Sequence, residues 1–71
     1  MKRGDLMKLR CDESFHEPGW TPGDAEGQRG FLDGGSIVTI IEPPTRPWIS
    51  ALVLHPTQGL GRVFGPSLEA L

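Results

Sequence analysis

The chain has 71 residues and a mass of 7.7 kDa, enough for one small domain across 1–71 and too little for a second domain, a repeat array or a long linker. Leu, Ile, Val and Phe supply 18 of the 71 residues, above the level of a disordered chain, while Gly and Pro supply 17, which excludes long helices and demands short elements joined by many turns. The formal net charge of −2 lacks the basic excess common in nucleic-acid-binding domains, and the single cysteine, Cys11, rules out an internal disulfide.

Residues 5–11 alternate, with Met7, Leu9 and Cys11 on one side of an extended chain and Lys8 and Arg10 on the other, which predicts a first, partly exposed strand. Residues 12–35 carry Pro18, Gly19, Pro22, Gly23, Gly27, Gly30, Gly34 and Gly35 and hold no sustained period. They read as one long acidic loop, packed by its own Phe15, Trp20, Phe31 and Leu32. Residues 36–42, Ser-Ile-Val-Thr-Ile-Ile-Glu, are β-branched and apolar at successive positions, as in a strand buried on both faces or bent at a barrel corner. Pro43, Pro44 and Pro47 end that strand, and Arg46 lies in the turn they make. A third strand begins at Trp48 and runs to residue 54, and His55-Pro56-Thr57-Gln58-Gly59 reverses it into a fourth at 61–64. Gly65, Pro66 and Ser67 break the fourth strand, leaving residues 67–71 for a 3₁₀ turn and a short terminal strand. Phe31, Leu52, Leu54 and Phe64 are expected in the core, and Arg62, next to Val63, is expected to face outward.

Four to five short strands, one long loop near the start and no helix cannot build a large sandwich, but they can close a small barrel whose edges are protected. The opening Arg3-Gly4-Asp5-Leu6-Met7-Lys8-Leu9, the glycines ahead of Ile37-Val38-Thr39-Ile40, the hairpin over residues 48–64 and the closing Ser67-Leu68-Glu69-Ala70-Leu71 resemble small SH3-like proteins. Among these are a small accessory protein of photosystem I, the variable chain of ferredoxin-thioredoxin reductase, KOW-type modules and short orphan proteins of bacteriophage genomes. The resemblance covers most of the chain outside residues 12–26 and implies an all-β, SH3-like barrel. A KOW-type motif has one glycine directly before its alternating strand. Here Gly30 is followed by Phe31-Leu32-Asp33-Gly34-Gly35, so a small phage protein is the nearest comparison.

The charge is unevenly placed. Lys2, Arg3, Lys8 and Arg10 face Asp5 alone in the first ten residues, whereas Asp12, Glu13, Glu17, Asp24, Glu26 and Asp33 face only Arg29 in residues 11–33. Cys11, His16 and His55 lack the paired spacing of a zinc site, so no metal or other cofactor is expected. Catalysis is not expected either, because no serine or cysteine stands at a spacing that recommends a triad, and 27–35 lacks the Lys-Ser/Thr ending of a phosphate loop. Lys2 and Arg3 are followed by Gly4 and Asp5 rather than an apolar stretch, and no apolar run approaches the ~18 residues of a membrane span. A soluble, cytoplasmic protein, in a host cell or a virion, is the expectation.

Small barrels bind peptides in grooves lined by aromatics and flanked by acidic residues. The sequence therefore points to a non-catalytic protein-binding or assembly module, an accessory protein of phage type, with Phe15, Trp20, Trp48 and Arg62 as partner contacts; the alternative places for the two indoles are the core for Trp48 and the loop–barrel contact for Trp20. Two other classes stay open. In one, Lys8, Arg10 and Arg46 with exposed aromatics bind nucleic acid, against which the six carboxylates of residues 11–33 argue. In the other, the chain is a self-assembling structural subunit.

Overall fold

The computed structural model of the chain describes residues 1–21, 27–44 and 50–71. Among them the fold is all-β, with seven strands in chain order: β1 (Leu6–Leu9), β2 (Glu13–His16), β3 (Gln28–Leu32), β4 (Ile37–Glu42), β5 (Ser50–His55), β6 (Gly59–Phe64) and β7 (Leu68–Ala70). A 3₁₀ turn at Gly65–Ser67 precedes β7. The strands form one antiparallel sheet in the order β3-β2-β6-β5-β4-β1-β7.

This order forces the sheet to curl. β1 and β2 are consecutive in sequence yet four places apart in the sheet, which at ~4.8 Å per strand separates them by about 19 Å if the sheet is flat. The four peptide steps from Leu9 to Glu13 reach at most about 14 Å. The sheet therefore wraps around its own inner face, and its two end regions meet through side chains: Ser67 Oγ donates to Glu13 Oε1 at 2.6 Å, and Cys11 Sγ lies 3.6 Å from the same oxygen. The backbone ladder itself stays open, ending at β3 and β7.

Every strand sends at least one apolar side chain inward. Leu9, Phe15, Leu32, Val38, Ile40, Ala51, Val53, Val63 and Leu68 make the core, and Met7 packs against it. Two β-bulges decide what lies outside. Phe15 faces Gly30 and His16 faces Gln28, so Arg29 is the extra residue of β3, next to a Gly30 whose φ of 152° an L side chain rarely adopts. Ile40 faces Val53 and Glu42 faces Leu52, so Ile41 is the extra residue of β4. The bend expected from the unbroken apolar run at 36–42 is this bulge, and it turns Glu42 to the outer face.

Several expectations are corrected. Residues 12–35 are not one loop, because β2 and β3 lie inside them and form a hairpin, which raises the strand count to seven. Pro18 and Gly19 sit in the hairpin's turn and Gly30 at its bulge, so the chain breakers interrupt neither strand. The hairpin's period was hidden because each of its strands buries a single apolar residue, Phe15 or Leu32. Phe31, Leu54 and Phe64 are exposed and Leu52 is only half-buried. Their inward neighbours Leu32, Val53 and Val63 explain this: strict alternation leaves the adjacent residue outside. Cys11 lies beyond the end of β1 and is exposed rather than inward with Leu9. The reversal at 55–59 stands as expected, with the amides of Thr57 and Gln58 donating to His55 Nδ1 at 3.2 and 3.1 Å.

Candidate functional site

The outer face of the β2–β3 hairpin, where it meets β6, gathers the most chemistry. β2 touches the β6 ladder at one residue pair, His16 with Arg62. Phe64 lies two residues beyond Arg62 on the same face of β6, and the Glu13–Ser67 hydrogen bond holds the start of β2 against the 3₁₀ turn that follows it. Ser14 of β2 is paired with Phe31 of β3. Two exposed aromatic side chains, Phe31 at 63 % and Phe64 at 44 % exposure, thus stand on β3 and β6, the two strands that neighbour β2.

Toward the hairpin's turn stands a stacked pair. The His16 and Trp20 rings lie 3.9 Å apart and 11° from parallel, and His16 Nδ1 is buried without a hydrogen-bond partner among the described residues. The turn that positions Trp20 is closed by Trp20 N donating to Glu17 O and Glu17 N donating to Gly27 O.

Continued toward the hairpin's turn, the His16–Arg62 register sets Pro18 opposite Leu60. Proline has no N–H, so β2 cannot extend its ladder, and the polar groups set free are satisfied by arginines. Arg62 Nε donates to Pro18 O at 2.8 Å while its Nη2 pairs with Glu42 Oε2 at 3.3 Å, a pair that the β4 bulge makes possible. Arg29, turned by its own bulge, passes 5.4 Å over the Phe15 ring and donates to Leu60 O and Gln58 O, with Glu17 Oε1 3.7 Å from its Nε. Arg29 thus supplies the donors that a continued β2 would have supplied.

Of the residues singled out from sequence, Trp20 and Arg62 meet at this site and Arg62 faces outward as expected. Phe15 does not serve as a contact: its side chain is fully buried, the largest in the core, because it points inward between Ser14 and His16. Trp48 and Arg46 lie outside the described residues. Lys8 is 3.5 Å from Glu69, and Arg10 Nη2 donates to Pro66 O at 2.8 Å. These two cations stand on β1 and its extension, separated from Arg62 by β4 and β5 in the sheet order, so Lys8, Arg10 and Arg62 do not make one basic stripe.

Sequence reasoning missed Phe31, Phe64, Glu42, Arg29 and the part played by Pro18. The two phenylalanines could have been found from the period of two beside Leu32 and Val63, whereas Glu42 and Arg29 owe their positions to bulges that no residue pattern announces. Among the described residues no three His, Cys, Asp or Glu side chains gather as metal ligands would, and no helix is long and apolar enough to cross a membrane. Comparison with protein-family models, with curated proteins and with solved structures finds no match for this chain.

Proposed function

We propose that the chain is a non-catalytic protein-binding module on an SH3-like barrel, acting through the outer face of its β2–β3 hairpin and β6. The barrel reading is supported by the curl of the sheet, by the side-chain bridge between its ends and by the 3₁₀ turn before the last strand. β1, β4, β5, β6 and β7 supply the five short strands, and β2–β3 takes the place of the long loop.

The observation that carries the binding reading is the exposure of two aromatic side chains, Phe31 and Phe64, on the two strands that neighbour β2, whose His16 stacks on Trp20. Exposed aromatics grouped beside polar side chains supply the contact area typical of binding hot spots. The cations favour this reading over nucleic acid, since Lys8, Arg10, Arg29 and Arg62 are each engaged with a carboxylate or a backbone carbonyl.

A Phe31→Ser/Phe64→Ser double variant tests it. Both side chains are exposed, so unfolding stability changes by less than about 1 kcal/mol while capture of the partner from a lysate is lost. Capture of the same partner by the folded double variant, or salt-sensitive binding of short oligonucleotides by the wild type, contradicts the proposal.

A further inference from the structure

We propose that the free edge of β3 pairs with β3 of a second copy of this chain, antiparallel and about a two-fold axis at Phe31. Among the described residues the sheet ends at β3 on one side and at β7 on the other. The β7 edge is blunted, because Leu68 N–H is already donated to Gly65 O within the 3₁₀ turn. What β3 leaves free follows from the way β2 is bonded. Glu17 N donates to Gly27 O, so alternate residues Glu13 and Phe15 also turn their backbone groups to β3, while Ser14 and His16 turn theirs to β6. The bonded pairs of the hairpin are therefore Glu13 with Leu32 and Phe15 with Gly30. Phe31, opposite Ser14, points both its N–H and its C=O away from the sheet.

An edge of this kind is completed by a strand that offers one N–H and one C=O on the residue set opposite. β3 offers both on Phe31 itself, so two copies with Phe31 opposite Phe31 exchange two hydrogen bonds, one in each direction, with no third component. Their exposed rings then stand side by side on the outer face, where directly opposite residues of an antiparallel pair meet. Charge selects the same register. Counted along the two strands, it is the one antiparallel register that sets Arg29 of each copy opposite Asp33 of the other, and Asp33 is exposed with no ion pair among the described residues. Arg29 keeps its bonds to Leu60 O and Gln58 O, so this term is attraction across the edge and not a contact. The bulge at Arg29 and the turn in which Ser36 N donates to Asp33 O confine the usable strip to a few residues, so the pairing is weak. Each copy spends the same edge on the other, so the contact closes as a dimer. The outer face that carries Phe31 and Phe64 then continues from one copy into the next.

The test is the solution mass of the purified chain, by light scattering up to its limit of solubility, with amide NMR spectra over the same concentrations. Phe31→Pro and Phe31→Val are measured beside it. Proline at 31 removes the outward N–H, which β2 does not use, whereas valine keeps that N–H and removes the ring. The wild-type mass is expected to rise to about twofold and stop there, with the Phe31 amide shifting as it does. F31V should reach the same twofold limit at higher concentration, and F31P should keep the monomer mass throughout. A wild-type mass that stays at the monomer value at every concentration overturns the proposal. So does a folded F31P that associates as the wild type does, or a wild-type mass that passes twofold in a ladder of sizes, which would make the contact head-to-tail. Where F31P does not fold, the wild-type amides decide: shifts centred on Phe31 support the pairing, and shifts centred on β7 or on the outer face of β4 and β5 overturn it. The chain is measured alone, so failure here leaves the partner reading of the outer face standing.

Discussion

Phe15→Ala is expected to remove most of the stability of the fold, about 3–5 kcal/mol, the usual cost of truncating a fully buried phenylalanine. A chain of 71 residues has about 4–10 kcal/mol in total at the usual stability per residue, so the variant should be largely unfolded at moderate temperature. The size of the effect follows from position. Phe15 is the one buried residue of β2, its ring touches the inner side of β6 at Gly61, and Arg29 lies over it on the way to the carbonyls of β6. Removing the ring leaves a cavity between the hairpin and the rest of the sheet and takes away the surface on which Arg29 rests. Thermal unfolding followed by circular dichroism measures it, and a midpoint within a few degrees of the wild type would show that Phe15 is not a core residue.

Gly61→Ala should cost about 2–3 kcal/mol, or roughly 10–20 °C in the unfolding midpoint. The backbone of Gly61 is not among the positive-φ glycines, so the cost is steric and not conformational. A Cβ there would overlap Phe15 Cζ and would lie 2.7 Å from Phe15 Cε1 and 2.6 Å from the carbonyl oxygen of His16. Glycine at 61 lets β2 approach β6 closely enough for the His16–Arg62 pairing. Because part of the clash is with a ring, Gly61→Ala in a Phe15→Leu background should cost less than in the wild type. The carbonyl contact remains, so the rescue should be partial. Equal costs in the two backgrounds would mean that the ring and the glycine do not touch.

The sequence made the later strands legible because their signal is local. The run Ile37-Val38-Thr39-Ile40, the reversal at His55–Gly59 and the break at Pro66 are each read within a few residues, and β4, β5, β6 and the 3₁₀ turn follow them closely. β2 and β3 were not legible for an equally local reason: four or five residues with one inward side chain, set among glycines and prolines, have no period long enough to stand out. Assigning Phe31, Leu54 and Phe64 to the core followed their hydrophobicity, but a strand with one buried face can hide only every second residue. The site was readable in part. Trp20 and Arg62 belong to it, but the neighbours that give it shape depend on Pro18 stopping a ladder and on bulges at Arg29 and Ile41, which are properties of paired strands and not of either strand alone.

The central claim, that partners are met on the outer face that carries Phe31 and Phe64, is tested most directly by placing a photo-crosslinking phenylalanine analogue at one position at a time and irradiating in a lysate. Positions 31 and 64 should give the same covalent partner. Position 37, where Ile37 is also exposed but lies on β4 and is paired with Lys8 of β1, should give none. Crosslinking of that partner at 37 with no product at 31 and 64 would place the binding surface elsewhere on the sheet and contradict the account.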